Sequence, residues 1–299
     1  MNSIEQAVLL LAHGSPNSVD EVPDFLLQVT GGRPLPPPVI EEVKHRYGLI
    51  GRSPLTELTL KQGEILASEL SLPVYVGMRN WRPLIPDVVH AMVSDGVSRA
   101  VAICLAPQNS RTSVGLYRSA LEKNGVPFAI DFVESWHDHP LLIQAFVEKL
   151  LQGWDRACTE FNARVPVIFT AHSVPQRTII EGDPYESQSR ETASLVAREA
   201  KLNPEDWNFA FQSQGMSGGP WLGPSVEDTI RRLKQQGHRA VFMQPIGFLC
   251  DHVEVLYDID IAFKKFAESQ DLQLRRAQSL NDSPLLAGAL ADIVRAKLR

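Results

Sequence analysis

The sequence predicts an α/β protein of two similar halves, each a parallel sheet flanked by helices, with a cleft between them. Three observations carry that expectation. Apolar strand-like runs alternate with helix-patterned stretches along the 299 residues, a rhythm that builds βαβ units. The run AVLLLAHGSP (7–16) is matched downstream by PVIFTAHSVP (166–175). A second pair, DGVSRAVAICLAP (95–107) and QQGHRAVFMQPIGF (235–248), follows in the same order. With 44% hydrophobic residues, a chain of this length can bury two cores.

Each element follows from its local pattern. Residues 7–12 are apolar without alternation, as a strand covered on both faces should be. A helix over 58–70 precedes a strand over 72–78. A helix over 84–93 precedes a strand over 99–107, and a helix over 114–123 precedes a strand over 128–135. The second half runs strand 165–173, helix 188–201, strand 208–215, helix 226–236, strand 239–248 and helix 256–268. The junction is expected within 149–165, which divides the chain into domains 1–150 and 151–299, with the last helix free to pack back on the first domain. Ligands of open α/β sheets bind beyond the carboxyl ends of the strands. His13 and His172 both stand at such ends, so each half brings one histidine to the edge where a ligand would lie.

Composition removes several classes of function. The net charge of −6 is spread along the chain and offers no concentrated basic face for nucleic acid. The apolar runs are too short to span a bilayer, and no basic n-region marks a signal peptide. Cys104, Cys158 and Cys250 are widely spaced without CxxC, which argues against a disulfide scaffold or a cysteine metal cluster and fits a cytoplasmic protein.

A lone His172 after a strand is more often structural than chemical. The stretch PIGFLCDHVEVLYDID (245–260) changes that balance, because it sets Asp251, His252, Glu254, Asp258 and Asp260 directly after another buried strand. On a helix, Asp251, Glu254 and Asp258 would share one face. A histidine with carboxylates suits either a divalent cation or proton transfer. HRYGLIGRSPLTELT (45–59) offers Arg46, Tyr47, Arg52 and Ser53. QNSRTSVGLY (108–117) reads as an anion-accepting loop entering a helix, GGRPLPPP (31–38) leaves Arg33 free for an anion, and GGPWLGPSVED (218–228) fixes Trp221 in a turn.

Together LLLAHGSP, HRYGLIGRSPL, ICLAPQNSRTSV, VESWHDHP, FTAHSVP, GDPYESQ, PWLGPSVED and PIGFLCDHVEVLYDID resemble the ferrochelatase family, and the likeness runs nearly the whole chain. It implies two Rossmann-like domains around a porphyrin, with His172 and Glu254 as the central metal- and proton-handling pair. It also implies that Arg46, Tyr47, Ser53 and Tyr117 line the porphyrin or hold its propionates. The wording of PWLGP and DHVEVLYDID is most similar to the branch that uses coproporphyrin III, with protoporphyrin IX as the alternative substrate. In that branch the position of His13 is usually Tyr, so His13 is expected to be an axial ligand of product iron. Thr30 and Gly31 stand where the branch often has arginines, and Ala262 interrupts an acidic row continuing from Asp258.

Fe²⁺ is expected as a substrate with no permanent cofactor, and no iron–sulfur cluster is expected. The expected partners are porphyrin, ferrous iron and neighbouring haem-pathway enzymes, and the expected state is a monomer. AHGS also resembles sirohydrochlorin and cobalt chelatases, against which the His172 and Glu254 motifs argue. A two-lobed binding protein would not need the acid–histidine cluster, and a haem chaperone would bind metallated porphyrin but show no insertion activity.

Overall fold

The computed structural model describes residues 4–123, 125–214 and 219–299. The first half comprises β1 (Gln6–Ala12), α1 (Val22–Val29), α2 (Pro37–Ile50), α3 (Leu55–Leu70), β2 (Val74–Met78), α4 (Ile85–Ser94), β3 (Arg99–Cys104), α5 (Val114–Lys123) and β4 (Ala129–Val133). Helix α6 (Pro140–Phe161) leads into the second half. There follow β5 (Val167–His172), α7 (Gln176–Ile180), α8 (Tyr185–Glu199), β6 (Trp207–Gln212), α9 (Val226–Gln235), β7 (Ala240–Pro245), α10 (Val253–Leu256), α11 (Lys264–Ser269), β8 (Gln273–Arg276) and α12 (Pro284–Leu298).

The two sheets have the same topology. Their strand orders are β2-β1-β3-β4 and β6-β5-β7-β8, and the pairings are parallel. The repeats read from the sequence therefore fall on equivalent strands: the two Ala-His ends on the inner strands β1 and β5, the two Arg-Ala-Val starts at β3 and β7. β1 is buried from Ala7 to Ala12, which explains its unbroken apolar run.

Helices α6 and α12 lie in the core shared by the two sheets. Phe146 and Leu150 of α6, Leu286 and Leu290 of α12, Val8 and Leu10 of β1, and Phe169 of β5 belong to one buried cluster. α12 packs against α3 and β3 as well as α6, so the last helix crosses back to the first half. The stretch expected to part the halves is largely helix, because α6 continues unbroken through residue 150 to Phe161.

The helix expected over 256–268 is not one regular helix. Between α10 and α11 the chain makes a π-helical turn, Asp258–Phe263. The N–H groups of Ile261 and Ala262 both donate to the Tyr257 carbonyl, at 3.1 and 2.9 Å, which widens the turn. Such turns are frequent at functional sites.

Candidate active site

The carboxyl ends of β1, β5 and β6 and the loop after β7 open onto one cavity of about 600 Å³, within the range of small-molecule sites. First-half residues on its wall include His13, Arg46, Tyr47, Arg79 and Tyr117. Second-half residues include His172, Ser213, His252, Glu254 and Asp258. Two glycines make the close approaches that shape it. Gly14 follows His13 with φ +81°, and a Cβ there would lie 2.8 Å from the Trp81 Cβ. A Cβ on Gly247 would lie 2.9 Å from the Cα of Ala171, just before His172.

Three histidines are oriented alike. Nδ1–H of His13 donates to the Gly14 carbonyl at 2.9 Å, that of His172 to the Ser173 carbonyl, and that of His252 to the Cys250 carbonyl at 3.0 Å. Fixing Nδ1 on a carbonyl leaves Nε2 as the atom free to bind a proton or a metal. The Nε2 atoms of His172 and His252 lie 3.8 and 3.9 Å from Oε2 of Glu254. Among the described residues no group of three or more His, Cys, Asp or Glu forms a ready-made metal cage. The site presents convergent donor pairs rather than a closed coordination sphere.

The carboxylates differ in character. Burial alone would raise the pKa of Glu254, but the imidazoles of His172, His252 and His13 outweigh it and bring the value to about 2, so Glu254 stays ionised. Asp258 is shifted upward, chiefly by burial and further by Glu254, while the Ser213 hydroxyl that donates to it works the other way. His13 faces the open cavity, yet desolvation by the surrounding walls lowers its pKa to about 4. It is a neutral imidazole at physiological pH.

On the first-half wall, Tyr47 shares a hydrogen bond with Ser15 at 3.0 Å, and burial pushes its phenol up to about 12. Tyr117 is buried beneath the Arg79 guanidinium, whose Cζ lies 5.5 Å from the ring centroid, and burial raises its pKa too. Arg46 reaches across the cleft. It pairs with Glu42 at 2.9 Å, stacks 5.0 Å from the Tyr257 ring centroid and lies 4.0 Å from Asp258. Ser110, Thr112 and Ser113, ahead of α5, also line the cavity.

The structure does not bring every sequence candidate here. Ser53 is buried at the start of α3, where its Oγ accepts from Leu55 N at 3.4 Å, and it is absent from the cavity wall. Asp251 does not share a helical face with Glu254 and Asp258, because α10 begins only at Val253. Its carboxylate is taken by Ser279 and Asn281, and Asp260 by Arg276. Arg33 is turned onto the Thr30 carbonyl at 3.2 Å, and Arg52 pairs with Glu57. Gly218 lies outside the described residues.

Other wall residues have little or no sequence signal. Phe25, Leu26 and Val29 of α1 supply an apolar strip from a stretch without a chemical motif. His252, read from the sequence as part of the acid–histidine cluster after β7, does stand on the cavity wall.

The ferrochelatase family model matches residues 5–298. The chain belongs to the ferrochelatase family. A ferrochelatase of Acidobacterium capsulatum is 55% identical over 98% of this chain and 94% of its own. One from Deinococcus radiodurans is 40% identical over 97% and 95%. A coproporphyrin III ferrochelatase of a Geobacillus strain is 33% identical over 99% and 98%. Among solved structures, the sirohydrochlorin chelatase SirB of Bacillus subtilis with cobalt superposes with a TM-score of 0.57 at 11% identity, over 98% of this chain and 94% of that one. That likeness shows the duplicated α/β fold alone. As a ferrochelatase-family enzyme the protein is a lyase that places a metal ion in a porphyrin, with iron as transient substrate. Among the described residues no helix is long and apolar enough to cross a membrane.

Proposed function

We propose that this ferrochelatase-family enzyme inserts Fe²⁺ into coproporphyrin III as a step of haem formation in the cytoplasm, with His172 and Glu254 as its central pair. The observation that carries the reading is the convergence of His172 and His252 on a Glu254 carboxylate that stays ionised down to about pH 2. Metallation exchanges two pyrrole N–H protons for one Fe²⁺, so the site must accept two protons and attract a dication. Glu254 is too weak a base to keep a pyrrole proton and is suited to drawing in the cation. Nε2 of His172 accepts the proton, and the resulting imidazolium is stabilised by Glu254. Asp258, the carboxylate with the raised pKa, takes the proton onward. The apolar walls hold the ring, and remote contacts supply the energy for distorting it.

Coproporphyrin III carries four carboxylates, and polar groups along the first-half wall of the cavity stand to meet them. Arg46 and Tyr47 serve one set. Arg79, Ser110, Thr112, Ser113 and Tyr117 serve another. Two Geobacillus relatives named as coproporphyrin III ferrochelatases, at 33% and 35% identity, support the same substrate. Anaerobic assays with Fe²⁺ should give the higher kcat/KM for coproporphyrin III. A higher value for protoporphyrin IX would reassign the substrate.

His13 completes the site from the opposite wall. Its free Nε2 and lowered pKa make it a neutral ligand, and it has no carboxylate beside it in sequence for proton removal. It becomes the axial ligand of iron after insertion. The spectrum of the iron–porphyrin complex should lose its histidine-ligated signature in His13→Ala while insertion persists. An unchanged spectrum would remove His13 from this role.

A further inference from the structure

The acidic residue that the sequence sets beside the active site, Asp251, points away from the metal path and into a clamp. Asp251 N donates to Asn281 Oδ1 at 2.9 Å, and Asn281 Nδ2 donates back to Asp251 Oδ2 at 3.0 Å. The other carboxylate oxygen accepts from the buried Ser279 hydroxyl at 2.8 Å and meets Arg276 at 3.3 Å. The backbone and side chain of one residue are thus held together. That residue directly precedes His252, whose extended backbone (φ −161°, ψ −176°) launches the four-residue helix carrying Glu254.

The clamp is anchored in the other half of the molecule. Asn281 sits in the left-handed region with φ +50°, and its carbonyl accepts from Gln62 Nε2 of α3 at 2.5 Å. The same amide nitrogen reaches Sγ of Cys250 at 3.0 Å, and the Cys250 carbonyl holds the His252 ring. Gln62 and Cys250 both line the cavity. Hydrogen bonds from a first-half helix therefore reach residues 281 and 250, residue 281 holds Asp251, and the Cys250 carbonyl holds the His252 ring, whose Nε2 lies 3.9 Å from Glu254.

We infer that Asn281 is a positioning residue for metal insertion, holding the 250–252 backbone so that His252 and Glu254 meet the ring centre, with Gln62 tying that position to the first half. This rests on the assignment of Glu254 under the proposed function. Partners of this kind behind metal-handling groups are each worth about 10- to 100-fold in metal affinity or activity.

Asn281→Gly isolates the effect, because glycine keeps the left-handed backbone and its carbonyl for Gln62 while deleting both bonds to Asp251. Measured anaerobically with Fe²⁺ and coproporphyrin III, Asn281→Gly should lower kcat about 10- to 100-fold, with KM for porphyrin within about two-fold on the uniform-binding criterion. In the Glu254→Gln background it should lower kcat little further, since both changes remove one function. Wild-type kcat, or a full additive loss in the double variant, would overturn the inference. Glu254→Gln with normal turnover would instead remove the underlying assignment. Ser279→Ala, which deletes one bond of the same clamp, decides the matter if Asn281→Gly does not fold. A reduced kcat at unchanged porphyrin KM supports the inference, and an unchanged kcat rejects it.

Discussion

The surroundings of two carboxylates four residues apart, Glu254 and Asp258, push their pKa values in opposite directions, which is the basis of the different work proposed for them. Groups separated in this way mark acid–base assignments. Asp258 is the one whose protonation moves toward the assayed pH range. Asp258→Asn should therefore lower kcat by roughly 10²-fold and flatten the acidic limb of the kcat/KM profile. Glu254→Gln should lower the rate and keep that limb, shifted to lower pH, because the Glu254 charge helps hold the Asp258 pKa up. A pH-rate series on both variants checks the assignment. His172, Glu254 and His13 were legible because each sits in a short polar motif after a buried apolar run. Ser53 was misplaced because a serine before Pro54 has the same appearance whether it faces a ligand or a helix start. Asp251 was misread because its partners Ser279 and Asn281 lie about 30 positions away, beyond any local pattern.

At the scale of elements, alternation of apolar runs with helical patterns was enough to place seven of the eight strands among the described residues, since most of them are buried on both faces, while β8 (Gln273–Arg276), a short and polar QLRR, carries no such run. The π-helical turn Asp258–Phe263 was not legible, because its residues carry the same apolar spacing as an ordinary helix. It is held from outside by Gln212, whose Nε2 donates to the Glu254 carbonyl at 2.9 Å, and by Ser213 on Asp258. A second junction, Arg164 to Asp206, ties the start of β5 to that of β6 through two bonds of 2.5 and 2.6 Å. The Arg164 guanidinium, helped by the Asn203 backbone, holds the Asp206 carboxyl below the usual range against the opposing effect of burial. A depressed carboxyl pKa contributes stability that is complete above the unfolded value and is lost as pH falls through the folded one. Asp206→Asn should cost about 1 kcal/mol at pH 7, after allowance for the half-exposed arginine. That difference should narrow below about pH 4. Urea unfolding across that range measures both.

For the whole molecule, the cavity exists because two copies of one topology face each other across shared helices. α12 packs on α3 and β3 of the first half and on α6, so the halves should unfold together. Leu290→Ala, at a fully buried position of α12, should cost about 2–5 kcal/mol and keep a single unfolding transition by calorimetry. A split into two transitions would show halves of independent stability. The internal repeat made the two-half architecture legible from sequence. The path of α12 back to the first half was only an allowance, because nothing in its composition says which sheet it covers.

The most direct test of the account is anaerobic single-turnover insertion of Fe²⁺ into bound coproporphyrin III by Glu254→Gln, with porphyrin binding measured on the same sample. The account predicts binding close to wild type and insertion slowed by orders of magnitude. Near-normal insertion would contradict it.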